Sequence, residues 1–103
     1  MDTKNLALPR LNRLNPTLES TALKLMEEAG ELAQVIGKYR GLSGEKIRLD
    51  EEQVVKEIAR ELLDVAQTAV TMMFVMEEQY GIDLSLMVKE HLAKLEQKGY
   101  LSK

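Results

Sequence analysis

The apolar positions of this chain recur at helical spacing almost throughout. Leu18, Ala22, Leu25, Ala29, Leu32 and Ile36 alternate steps of four and three, which is the narrow seam of a helix that packs on another helix. Asn15-Pro16 predicts its start, with Asn15 capping and Pro16 in the first helical position, where a missing N–H is harmless. The helix should run to about Tyr39 and end at Gly41-Leu42-Ser43-Gly44. A second pattern opens at Asp50-Glu51-Glu52-Gln53, a cap candidate followed by acids in the first turn. Its seam is Val55, Ile58, Leu62, Ala69 and Met73, and it continues to Tyr80 with Gly81 as the stop. Such a helix has about 30 residues and is ~45 Å long. The third runs from the cap Asp83 to about Lys98, with Leu84, Val88, Leu92 and Leu95 on one face and Gly99 just past its end. Three helical patterns and no strand pattern predict an all-α helical bundle.

Two stretches modify that picture. In the second helix Val70, Met72, Met73, Phe74, Val75 and Met76 wrap the whole circumference. A short chain cannot cover such a segment on every side, so the bundle is expected to be completed by homo-oligomerisation, as a dimer or tetramer. Residues 1–15 read as an N-terminal arm on one helical domain spanning 1–103: Pro9 interrupts any long helix, while Leu6, Leu8, Leu11 and Leu14 favour docking over a free tail. The competing reading is a basic arm, with Lys4, Arg10 and Arg13, that closes over a neighbour's phosphates.

Composition narrows the function. The chain has 103 residues, 45% of them hydrophobic, and 14 basic residues against 17 acidic ones, a net charge of −3. No basic face is evident, which argues against a nucleic-acid binder or a membrane-surface protein. There is no Cys, hence no disulfide framework or zinc–thiolate site. No apolar run approaches a membrane span and none reads as a leader, so a cytoplasmic protein is expected. His91, the one histidine, lacks the glutamate three residues earlier that a di-iron bundle would pair with it.

The chemistry lies beside the seams. At about 100° per residue, Glu28 and Glu31 fall together on one flank of the first seam, while Glu27 points away. Glu57, Glu61, Asp64 and Thr68 line up beside the second. Like charges at this spacing repel, and if the two seams pack on each other, Glu28, Glu31, Glu61 and Asp64 converge at the edge of the core. Four carboxylates there form an oxygen-only site for a hard divalent cation such as Mg²⁺. The plainer reading is two solvated acidic faces, with Lys24, Lys38 and Arg60 as ordinary intrahelical partners.

Glu28-Ala29-Gly30-Glu31-Leu32 followed by Glu61-Leu62-Leu63-Asp64-Val65 resembles the paired Glu-x-x-Glu and Glu-x-x-Asp signature of the MazG-like, all-α nucleoside triphosphate pyrophosphohydrolases, over roughly residues 18–99. The resemblance implies a Mg²⁺-dependent enzyme, with Mn²⁺ as a possible substitute, that cuts a nucleoside triphosphate between the α and β phosphates. It assigns the metal to Glu28, Glu31, Glu61 and Asp64, and makes Glu27 and Glu57 candidates for a general base or a supporting role. Lys38, and Lys94 and Lys98 on the last helix, are the phosphate-binding candidates; Arg40, Lys46 and Arg48 near the first connection can also reach a triphosphate. Relatives that stack the base on Trp offer no guide, because this chain has none. The alternative from another class is a non-catalytic helical dimerisation module whose acidic flanks bind nothing.

Overall fold

A computed structural model describes residues 1–40 and 51–102. Expectations for Gly41 to Gly44, Lys46, Arg48 and the Asp50 cap lie outside the described residues. Within them the chain forms three helices, α1 (Leu18–Tyr39), α2 (Glu51–Tyr80) and α3 (Leu84–Gln97), and no strand.

The start of α1 differs from the expected Asn15 cap. Thr17 caps it instead: its hydroxyl accepts from the Ser20 N–H at 3.0 Å, and the Ser20 hydroxyl accepts from the Thr17 N–H at 2.8 Å. A reciprocal pair satisfies two orphan donors, whereas Asn15 offers at most one. At the far end of α1, the Tyr39 hydroxyl donates to Glu51 Oε1 at 2.8 Å, tying the last turn of α1 to the first turn of α2. Gly81, at φ +64°, ends α2, and the Ile82 N–H returns to the Met76 carbonyl at 3.2 Å. Asp83 caps α3 by accepting from the Leu86 N–H at 3.1 Å. Gly99, at φ +81°, follows the Lys98 C-cap, and the Tyr100 N–H closes onto the Leu95 carbonyl at 2.9 Å.

The two long helices pack as a hairpin, and α3 barely touches either. The packed rows are rotated from the expected seams. On α1 the row runs through Leu18, Thr21, Leu25, Glu28, Leu32, Val35 and Tyr39, of which Thr21 and Glu28 are buried and the others half-buried. Ala29 and Ile36, expected in the seam, are exposed. On α2 the row is Val54, Ile58, Glu61, Val65, Thr68 and Val75, while Val55, Leu62 and Met73 stand open. Each helix carries an apolar stripe broader than one seam, and the hairpin uses the edge of it that holds the acids and threonines. Burying the threonines is tolerable because their hydroxyls are satisfied: Thr21 donates to the Thr17 carbonyl at 2.8 Å and Thr68 to the Asp64 carbonyl at 2.9 Å.

Residues 1–16 form no helix, and the stretch 9–16 lies along α2. The Gln67 amide donates to the Pro9 carbonyl at 2.9 Å, and the Gln79 amide to the Pro16 carbonyl at 3.2 Å. The Arg10 guanidinium pairs with Glu78 and sits 4.3 Å from the centre of the Phe74 ring. The arm thus docks on its own chain. Even so, the only buried apolar residues among those described are Val54 and Val75. The radius of gyration is 17.0 Å, against about 13 Å for a compact chain of about 100 residues. Among the described residues, no helix is long and apolar enough to cross a membrane.

Candidate metal centre

Glu28 and Glu61 occupy seam positions where a bundle normally places Leu or Ile. Only 7% of Glu28 is exposed, and one oxygen of each carboxylate is buried without a hydrogen-bond partner. One carboxylate oxygen each from Glu28, Glu31 and Glu61 lies within 4.8 Å of the others. The spacing explains the arrangement: Glu28 and Glu31 are one turn apart on α1, and the hairpin brings Glu61 of α2 alongside them.

The electrostatics follow from that crowding. Burial raises the pKa of Glu61 above the ordinary carboxylate value, and the charges of Glu31, Asp64, Glu28 and Glu57 push it up further, in that order. Lys24 answers part of the charge, with its ammonium 3.0 Å from Glu28 Oε1 and 3.5 Å from Glu27 Oε1. The remaining bare oxygens are what a hard dication needs, since Mg²⁺ takes carboxylate oxygens and retains water in its other positions. The donor set therefore fits the ion.

Asp64 stands outside the close group of three. It is exposed, one turn beyond Glu61, and with Glu28 lines a cavity of about 450 Å³. Leu11, Leu14, Asn15 and Pro16 of the arm wall one side of that cavity; Ser20, Thr21 and Lys24 of α1 and Gln67, Thr68 and Thr71 of α2 complete it. The space exists because small hydroxylated residues replace the larger apolar ones that would fill a seam. Its volume lies within the range of small-molecule sites.

The other predicted residues lie further out. Glu57 is exposed, yet its charge reaches Glu61; Glu27 is exposed and engaged by Lys24. Lys38 is exposed near the end of α1, and Lys94 and Lys98 are exposed at the end of α3; none of the three lines the cavity. Three contributors to the site escaped the sequence reading. Lys24 was visible only as an intrahelical partner, and the lining roles of Gln67 and the arm depend on long-range docking that periodicity does not encode.

The sequence model of the MazG nucleotide pyrophosphohydrolase domain matches residues 16–99. No curated protein and no solved structure matches the chain.

Proposed function

The chain belongs to the MazG nucleotide pyrophosphohydrolase family, and from that premise we propose that it hydrolyses a nucleoside triphosphate between the α and β phosphates, giving a nucleoside monophosphate and pyrophosphate. The observation that carries the reading is the pair of buried, unpartnered oxygens of Glu28 and Glu61 beside Glu31. Such groups destabilise a fold unless a cation satisfies them.

In this reading Glu28, Glu31, Glu61 and Asp64 hold Mg²⁺, or Mn²⁺ in its place. A bound dication of this kind neutralises phosphate oxygens and acidifies a water molecule. Glu28 and Glu61, fixed on opposite helices of the hairpin, keep the site geometry rigid. Asp64, at the border between the carboxylates and the cavity, orients the phosphate chain, and the cavity takes the nucleoside. Glu57 is better placed than Glu27 to accept a proton from the attacking water, because the charge of Glu57 reaches Glu61 and Glu27 is not among the groups that act there. Lys38, Lys94 and Lys98 reach the phosphates in this reading only if a second chain brings them to the cavity.

A second chain is also what the surface calls for. Leu23 and Met26 of α1, Val55, Leu62, Leu63 and Met73 of α2, and Leu86, Met87 and Val88 of α3 are all exposed. A homo-oligomer that packs these rows together completes a bundle and covers Met73, the one exposed residue of the 70–76 segment. Absence of a membrane or nucleic-acid partner and residence in the cytoplasm belong to the same reading.

The deciding experiment measures pyrophosphate and monophosphate release from a panel of ordinary and modified nucleoside triphosphates, with Mg²⁺ and with chelator, for the wild type and Glu61→Gln. Metal-dependent pyrophosphate release that Glu61→Gln abolishes is expected. A folded wild type that releases none, or releases orthophosphate, overturns the assignment.

A further inference from the structure

The hydrolase reading leaves Lys24 without a part. It lies one turn before Glu28 on α1, and its ammonium donates to Glu28 Oε1 at 3.0 Å, with Glu27 Oε1 at 3.5 Å. The hydrogen bond to Glu28, then the charge of Glu27, hold its pKa above the ordinary lysine value, so it carries a full charge at neutral pH. Lys24 is also the one cation among the described residues that line the 450 Å³ cavity, where the charged groups beside it are Glu28 and Asp64. Its side chain is about half exposed, 54%, while that of Glu28 is 9% exposed. The carboxylate is therefore fixed in the seam, and the flexible ammonium has room to move.

Two demands meet at this group. Without a dication, the charge of Glu28 is answered on one oxygen by Lys24 and on the other by nothing. With a dication among Glu28, Glu31 and Glu61, two further positive charges stand next to the ammonium and repel it. The triphosphate in the cavity meanwhile presents negative oxygens, with two carboxylates on the same wall to oppose them.

We propose that Lys24 is an exchangeable counter-ion, which neutralises Glu28 when the acidic group holds no dication and passes its ammonium to a phosphate oxygen of the nucleotide when a dication takes Glu28. The phosphate half rests on the hydrolase reading; the displacement half needs only the metal. Metal and nucleotide then bind with positive coupling, and the coupling is reciprocal.

The test uses the full chain and two variants. Lys24→Met removes the charge at similar length, and Lys24→Arg keeps it in a fork that grips a carboxylate with two hydrogen bonds. Mn²⁺ binding is measured by calorimetry without nucleotide, and KM and kcat are measured with nucleoside triphosphate and saturating Mg²⁺. Lys24→Met should bind Mn²⁺ several-fold more tightly, because the competing cation is gone, and should raise KM about tenfold or more while kcat changes less. Lys24→Arg should bind Mn²⁺ more weakly and keep KM near the wild type. A merely structural role would weaken both ligands together. The proposal is overturned if the variants shift Mn²⁺ affinity in the same direction, or if Lys24→Met leaves KM unchanged. If circular dichroism shows that Lys24→Met does not fold, Lys24→Arg decides alone, and unaltered Mn²⁺ affinity overturns the exchange. A wild type that binds Mn²⁺ but hydrolyses no nucleoside triphosphate removes the hydrolase reading and the phosphate half with it; an active wild type with an indifferent Lys24 removes only the present proposal.

Discussion

A carboxylate oxygen of Glu28 on α1 lies within 4.8 Å of one from Glu61 on α2, and each residue keeps a buried oxygen that no donor reaches. Two partly desolvated anions at this separation repel across the main helix contact of the chain. That repulsion opposes the hairpin contact until a cation answers it, and several measurable properties follow.

Divalent cations should stabilise the fold. At about a hundredfold excess over Kd, a ligand selective for the folded state adds ~3 kcal/mol, which for a chain of this size raises Tm by several degrees or more. Mg²⁺ or Mn²⁺ should do this in a melting experiment, chelator should reverse it, and Glu61→Gln should blunt it. Identical melting with Mg²⁺ and with chelator would count against the site.

Without metal, stability should fall as pH rises. The folded chain holds the Glu61 proton more tightly than the unfolded chain, because burial and four neighbouring carboxylates raise its pKa from 4.5. Its contribution is present below the unfolded value and is lost as pH rises through the folded one. Urea midpoints in chelator from about pH 4 to about pH 8 should show this slope, flattened in Glu61→Gln. Saturating Mg²⁺ should reverse the Glu61 contribution, because the ion selects the carboxylate form. Equal slopes for wild type and variant would refute the linkage.

Replacing Glu28, Glu31, Glu61 or Asp64 by its amide should each reduce pyrophosphate release by about two powers of ten. Glu27→Gln is the internal control, since Glu27 is adjacent in sequence, exposed and outside the close group; its effect should be much milder. Five folded variants of equal activity would place the chemistry elsewhere.

The assembly can be tested at Leu62, which is 55% exposed in the single chain. A charge at an exposed position changes stability little in a monomer but is costly inside an apolar interface. Light scattering should report more than one chain for the wild type, and Leu62→Glu should shift it towards monomer. A wild type that is monomeric at micromolar concentration would sink the oligomer.

The arm should loosen in Arg10→Ala, which loses both the Glu78 pair and the Phe74 ring contact. Both partners of the pair are half exposed, so a cost of about 1 kcal/mol is expected. Thermolysin cleavage near Leu11 and Leu14 should accelerate. Unchanged cleavage would mean that other contacts hold the arm.

Much of this architecture was legible in the residues because its signals are local. Gly81 and Gly99 marked helix ends, and Asp83 marked a start. The family signature was also legible, since paired carboxylates at turn spacing are a pattern in one dimension. The rotation of the seam was not. Val54 and Val55 are equally apolar, as are Val35 and Ile36, and only the packing of α1 on α2 decides which of each pair turns inward. Thr17 displaced Asn15 as the cap for a similar reason: both can cap, and the reciprocal bond with Ser20 chose between them. The cavity was invisible because residues of α2, from Asp64 to Thr71, close it against the arm and the start of α1, which lie far earlier in the chain.

The two glutamines that fasten the arm, Gln67 and Gln79, both reach for carbonyl oxygens, those of Pro9 and Pro16. Every residue type carries a carbonyl, so these two tethers, unlike the Arg10 contacts with Glu78 and Phe74, do not depend on which side chains the arm bears. Leu11 and Leu14, which face the cavity, can therefore be exchanged without undoing the two tethers. The fold separates a fixed acidic half, written into two helices, from a replaceable cassette. If the cavity takes the nucleoside as proposed, selectivity for a new one is to be sought by varying that cassette, with the helices left as they are.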